Sequence, residues 1–264
     1  MPTHALEGRK ALITGGTGGL GSAMALAFVR EGAQVAICGS DRERTVARAQ
    51  ALAQTSEGRI EGVELDLRKA GAAEHAVRAA VDLLGGLDIV VCAAGAPADG
   101  RLENLKAAQW RDSFGVKFFG AVDVMTHALP FVRKSRNGVL VALSGVMGRE
   151  PQPGNIVAGT INAALENFMK SLAAEVAPDG VRALTICPGP FETARIRNIL
   201  EQRGRDTGRS YEDLFAASVA EVPLRRFGTA EEFGRFVAMI VSDMGSYITG
   251  TTITMDGGLR RGAF

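Results

Sequence analysis

Lys10-Ala11-Leu12-Ile13-Thr14-Gly15-Gly16-Thr17-Gly18-Gly19-Leu20-Gly21-Ser22-Ala23-Met24-Ala25-Leu26-Ala27-Phe28-Val29 is the stretch that decides how the rest of the chain is read. A short apolar run gives way to glycine at five of the seven positions from Gly15 to Gly21, then to an alanine-rich segment. That order predicts a strand, a tight turn and a helix. Glycine permits positive φ. It also lets a phosphate close on main-chain N–H groups at a helix start, where the helix dipole favours negative charge. The reading is a nucleotide diphosphate site. The alternative, a glycine-rich turn with no ligand, leaves the glycines as a pure loss of stability.

Outward from this turn the chain keeps a regular rhythm. The pattern predicts strands at Gln34 to Cys38, Arg59 to Leu65, Leu87 to Cys92, Val139 to Leu143, Val181 to Cys187 and Thr252 to Met255. Helices are predicted at Asp41 to Gln54, Ala70 to Leu84, Leu105 to Phe131, Ile156 to Val176 and Thr229 to Ser242, the last capped by Thr229 with Glu232 three residues on. Strands and helices alternating at this length imply an α/β fold of the doubly wound, Rossmann type, with a parallel sheet covered on both faces. Ligands of such sheets bind outside the carboxyl ends of the strands. Thr14 to Gly21, Gly39-Ser40, Asp66 and Ala93-Ala94-Gly95 are therefore expected along one edge. Arg195 to Glu221 breaks the rhythm. It is polar and carries Arg197, Arg203, Arg205 and Arg209, as a substrate-covering lid or a disordered insertion would, and the helical look of Tyr211-Glu212-Asp213-Leu214-Phe215 favours the lid.

Composition narrows the partners. With 264 residues, 46% of them hydrophobic, the chain is long enough for one large core, and a single domain over 1–264 is the expectation. A net charge of +1, spread through the chain, offers no footprint for nucleic acid or an anionic membrane. Without an apolar leader or a membrane-length apolar run, the chain reads as soluble and cytoplasmic, acting on a small molecule. Cys38, Cys92 and Cys187 each fall in or beside a predicted buried strand, which suits core packing rather than a disulfide or metal. No ligand role is assigned to His4, His75 or His127, and no metal site is expected.

The motifs together resemble the short-chain dehydrogenase/reductase family from about Gly8 to Gly258, most closely its 3-oxoacyl-carrier-protein reductases. Thr14-Gly15-x-x-x-Gly19-x-Gly21, with Thr17 and Leu20 inside it, matches the family's cofactor turn. Asp66-Leu67 matches its adenine contact, Ala94-Gly95 the end of its Asn-Asn-Ala-Gly run, Pro188-Gly189 with Thr193 its nicotinamide-side motif, and Asp256-Gly257-Gly258 its C-terminal signature. The resemblance implies a seven-stranded parallel sheet, a nicotinamide dinucleotide, and a homo-oligomer, tetramer or dimer, paired through the two long helices.

The family's four catalytic positions differ here. Its Tyr-x-x-x-Lys falls on Ala158 and Asn162, its asparagine on Lys117, and its serine on Gly145 with Ser144 adjacent. Tyr211 and Tyr247, the only tyrosines, lie elsewhere. A carbonyl under reduction gathers charge on oxygen that must be protonated, and alanine cannot supply the proton. The asparagine and lysine have exchanged helices, so Lys117 is a candidate for the missing acid. Desolvation would bring its pKa toward neutrality. The plainer reading of Lys117 is a solvated or ion-paired helix residue. Ser144 is read either as an oxyanion donor or as a turn residue. Arg149 and Glu150 either reach the cleft or pair with each other at the surface. Asn155 and Asn162 either bind a substrate carbonyl or serve as a cap and a core hydrogen-bonding group.

Cofactor choice rests on Gly39 and Ser40, where relatives preferring NAD carry an acid and those preferring NADP often carry an arginine. Without a carboxylate at Gly39, and with Arg42 and Arg44 close by, NADP(H) is favoured over NAD(H), although both arginines would also suit a solvated helix start. Three functions stay open: an NAD(P)-dependent oxidoreductase with a rebuilt acid, a non-redox dehydration, cleavage or isomerisation on the same fold, and a catalytically silent nucleotide-binding subunit.

Overall fold

The computed structural model describes residues 4–56 and 58–262; residues 1–3, 57 and 263–264 of the expected 1–264 unit lie outside the described residues. The opening stretch forms strand β1 (Lys10–Thr14) and helix α1 (Gly19–Arg30) around the glycine turn. Then follow β2 (Gln34–Gly39), α2 (Arg42–Ser56), β3 (Ile60–Glu64), α3 (Ala72–Leu84) and β4 (Ile89–Cys92). Helix α3 begins two residues later than expected because Gly71, at φ +73°, breaks the turn before it.

The expected long helix is two helices, α4 (Ala107–Phe114) and α5 (Gly120–Val132). A π-helical turn, Gly115–Phe119, joins them and is closed by the Gly120 N–H donating to the Gly115 carbonyl. Lys117 is its middle residue. Such widened turns recur where a helix must redirect a functional side chain.

Next come β5 (Val139–Leu143), α6 (Ile156–Val176) and β6 (Arg182–Pro188), then the two-residue strand β7 (Phe191–Glu192). The polar segment 195–221 is mostly helical rather than irregular. It falls within α7 (Ala194–Thr207) and α8 (Tyr211–Glu221), capped by Thr193 and Ser210, whose side chains accept from Ile196 N and Asp213 N. Leu200 and Leu214 are their buried anchors, and Tyr211 stacks on Phe215. The chain ends with β8 (Gly228–Thr229), α9 (Ala230–Val241) and β9 (Thr252–Met255). The capping box of α9 forms as expected, with Glu232 N donating to Thr229 Oγ1 at 3.1 Å and Thr229 N to Glu232 Oε2 at 2.8 Å.

Seven strands make one parallel sheet in the order β3-β2-β1-β4-β5-β6-β9, and β7 pairs with β8 in a small second sheet. The central strands are apolar throughout because both faces are covered. On β1, Leu12 faces a layer built with α3, α5 and α6, while Ala11 and Ile13 face one built with α1, α2 and α9. The three cysteines are buried free thiols, with Cys38 and Cys92 in the first of these layers. Burial pushes the Cys38 and Cys92 thiols up to about 12. Among the described residues no helix is long and apolar enough to cross a membrane. The strand order reverses between β1 and β4, so the carboxyl ends of these two strands open a crevice at the switch point.

Candidate active site

The glycine turn lies at that crevice and is built by close approach. A side chain on Gly21 would put Cβ 2.2 Å from the Gly15 carbonyl oxygen, and one on Gly15, at φ +65°, would meet the Ala93 carbonyl oxygen at 2.8 Å. Gly18 caps α1 without a side-chain cap bond, so the turn and the first-turn N–H groups of α1 form a backbone-lined cradle. Such a cradle fits a diphosphate, whose charge suits the positive end of α1. Thr14 Oγ1 accepts from both Ala93 N and Ala94 N at 3.1 Å, tying the exit of β1 to that of β4. Sequence reading missed this link, which takes the place of the polar residue absent at Cys92.

The other cofactor candidates gather around this cradle. Gly19 packs against Thr193 at the start of α7, where an added Cβ would lie 2.8 Å from the Thr193 methyl. Thr17 lies against Gly39 at the end of β2, and Ser40 and Arg42 follow as exposed residues. Leu20, in the first turn of α1, is partly buried against the core layer that α1 helps to build. Asp66 accepts from Arg68 N, and Leu67 packs on Gly120. Pro188 and Gly189 close the end of β6, where Gly189 N donates to the Met255 carbonyl. These residues sit at the exits of β1, β2, β3, β4 and β6, on one edge of the sheet.

Beside the cradle lies a second cluster. Gly95, at φ +119°, rests on the stem of Lys117, where an added Cβ would come within 2.7 Å of the lysine Cβ. Lys117 Nζ donates to Asn162 Oδ1 at 2.7 Å and to the Ser144 carbonyl at 3.4 Å. The two exchanged residues therefore meet, the Lys117 side chain is partly buried, and among the described residues no carboxylate forms an ion pair with its head. Burial pulls its pKa down to about 8, and the nearby Arg195 pulls in the same direction. A positive charge in a weakly polarisable pocket loses hydration that two neutral oxygens replace only in part. Gly145 fits the same arrangement, because a Cβ there would lie 2.9 Å from Asn162 Nδ2. Ala158 is buried one helical turn before Asn162 on α6.

Ser144 donates its hydroxyl proton to Glu166 Oε1 at 2.9 Å, so that proton is committed inward rather than offered to the cleft. Arg149 pairs with Glu166 at 2.6 Å and not with Glu150. Glu150 instead accepts main-chain N–H bonds from Arg261 and Gly262. Asn155 precedes α6 without a side-chain cap bond, which corrects the capping expectation. Glu166 itself was missed. Its only signal was a charged residue four places after Asn162 on an otherwise apolar helix face. Among the described residues, His, Cys, Asp and Glu form no cluster able to hold a metal ion.

The comparisons with known proteins agree with this architecture. The family model described as enoyl-(acyl carrier protein) reductase matches residues 15–260. A 3-oxoacyl-[acyl-carrier-protein] reductase from Aquifex aeolicus is 32% identical over 254 residues, which are 96% of this chain and 98% of that protein. The chain belongs to the short-chain dehydrogenase/reductase family. Its place is among the members similar to 3-oxoacyl-carrier-protein reductases, and it is an NAD(P)-dependent oxidoreductase by that membership. Two solved family members extend the likeness. L-sorbose reductase from Gluconobacter frateurii, complexed with NADPH and L-sorbose, superposes with a TM-score of 0.93 at 25% identity, covering 99% of this chain and 100% of its own. An NADPH-bound short-chain oxidoreductase from Pseudomonas aeruginosa, described as containing an atypical catalytic centre, superposes at 0.87 with 27% identity, covering 96% of this chain and 97% of its own.

Proposed function

We propose that the protein reduces a small-molecule carbonyl, or oxidises the matching alcohol, at a site where Lys117 takes over the proton handling. The observation that carries this reading is the contact of Lys117 with Asn162 beside Gly95. The residues fit a nicotinamide dinucleotide: the turn Thr14, Gly15, Thr17, Gly19, Leu20 and Gly21 would hold its diphosphate, and Asp66 with Leu67 its adenine. Ala94, Gly95, Pro188, Gly189 and Thr193 would line its nicotinamide half. Ser40 and Arg42 favour NADP(H), since a guanidinium there matches a phosphate and position 39 is a glycine rather than an acid. Bound there, the coenzyme supplies or accepts hydride.

The chain's own residues handle the rest. As charge grows on the substrate oxygen, the Lys117 ammonium donates a proton to it, and in the reverse direction the neutral amine withdraws one. Asn162 Oδ1 and the Ser144 carbonyl keep the head group in one place through both states. Ala158 lacks the bulk of the tyrosine found there in relatives, which leaves the reacting group room to approach the amine, while Asn162 takes the space beside Gly145. Helices α7 and α8 act as a lid over the cleft, with Arg195 near Lys117. We also infer a homo-oligomer paired through α4–α5 and α6, where Phe119 is 60% exposed.

The test is a fluorescence titration with NADPH and NADH, followed by absorbance assays of the reduced coenzyme with a panel of ketones, sugars and acyl thioesters. Binding with turnover supports the reading. Binding without any turnover favours the silent subunit, and no binding refutes the coenzyme site.

A further inference from the structure

Helix α6 turns one more polar side chain inward, and neither the glycine cradle nor the lysine–asparagine contact accounts for it. Glu166 is 9% exposed and lies on the face that also carries Ile161, Leu165 and Met169. A carboxylate persists in such surroundings only when each oxygen is engaged. Here the two oxygens do different work. Oε1 accepts the Ser144 hydroxyl at 2.9 Å, and Oε2 accepts Arg149 Nε at 2.6 Å. Ser144 and Arg149 bracket residues 145–148, so a single acid mounted on a 21-residue helix ties down both ends of the loop that leaves β5. That loop contains Gly145 and Gly148 and makes a single 3-10 turn, Val146–Gly148, so the anchors at its two ends add to the bonds of the turn itself. Its first peptide carries the carbonyl that receives Lys117 Nζ, and its second residue abuts Asn162 Nδ2.

We propose that Glu166, with Arg149 as its counter-ion, is a positioning residue: it acts through Ser144 to hold the loop that keeps the Lys117 ammonium walled off and in contact with Asn162. It touches neither substrate nor coenzyme. The inference rests on the reading of Lys117 as the proton-handling group. Other charged or titratable groups around the network are Cys187 of β6, whose buried thiol is pushed up by burial and lies against the Ser144 hydroxyl as well as sensing Glu166, Arg260 and Asp256, and Arg195 of α7, which acts on Lys117. Among the described residues, Arg149 is the ion-pair partner of Glu166.

The direction of one shift separates positioning from simple charge. Removing a negative charge disfavours a nearby ammonium and lowers its pKa, whereas loosening the wall admits water and raises it. The experiment is a 13C NMR titration of the full-length protein carrying 13Cε-lysine, with Lys117→Met assigning the signal. It is run on wild type, Glu166→Gln and Ser144→Ala. Both variants are expected to move the Lys117 midpoint upward, by about half a unit or more. Ser144→Ala changes no charge, and it keeps the inference testable if Glu166→Gln fails to fold. A downward shift in Glu166→Gln, or no shift in Ser144→Ala, overturns the positioning role. If Lys117→Met keeps full activity, the reading of Lys117 falls instead, whatever the titration shows.

Discussion

Lys117→Met tests how much the buried ammonium costs the fold. Moving a lysine pKa from 10.5 to about 8 corresponds to roughly 3 kcal/mol of unfavourable differential interaction for the charged form. The unfolded chain binds a proton that the folded chain has released between these two values, so wild-type stability rises with pH across that window. Below about pH 8 the cost is fully present, and above about pH 10.5 it is gone. Methionine removes the cost and fills similar volume, but leaves Asn162 Oδ1 without its donor, a loss of about 1–3 kcal/mol. At pH 7 the variant is therefore expected to equal wild type or exceed it by up to ~2 kcal/mol. Its advantage should shrink by about 3 kcal/mol as pH rises from 8 to 10.5. Urea unfolding of both proteins across that range reads the difference directly. A variant less stable by several kcal/mol at pH 7, with a gap that does not change with pH, would refute the desolvated ammonium.

Three further outcomes follow from the geometry. Gly21→Ala must displace the Gly15 carbonyl, so it is expected to lose about 1–3 kcal/mol in a urea melt and at least ~10-fold in NADPH affinity by fluorescence titration. Arg182→Met strips a buried guanidinium from the carbonyls of Ile240, Val241, Ser242 and Ile248, which it bonds at 3.1–3.4 Å. Roughly 3 kcal/mol of stability should go with it, seen as a lowered urea midpoint. Arg42→Ala should weaken NADPH binding about 5-fold and leave NADH unchanged by calorimetry, since an exposed charge contact contributes about 1 kcal/mol.

The sheet and the cradle were legible because their signals are dense. Five glycines between an apolar run and an alanine-rich run admit few structures. The bounds of α6, Ile156–Val176, also stand as read, since Ile161, Leu165, Met169, Ala173 and Val176 carry the helical period past the two buried polar residues. The π-helical turn was not legible, because inserting one residue into a helix barely changes the apolar pattern around Gly115–Phe119. Helix α7 escaped, and α8 was legible only over Tyr211 to Phe215, for the opposite reason. Each buries one leucine, Leu200 or Leu214, so neither shows an apolar stripe. The strands β7 and β8 are two residues each, too short for any period. At the site, the meeting of Lys117 and Asn162 was readable only from the exchange of two residue types between helices. Glu166 was invisible, because a lone acid on a helix reads as its solvated face until the fold turns that face inward.

The proton role of Lys117 is tested most directly by the pH dependence of carbonyl reduction under saturating NADPH, using a substrate that turns over in the ketone panel. In wild type the rate should be flat at lower pH and fall tenfold per unit above about pH 8, as the ammonium is lost. Lys117→Met should be slower by about 10²–10⁴-fold and lack that limb. A Lys117→Met enzyme with the wild-type rate and the wild-type alkaline limb would contradict it.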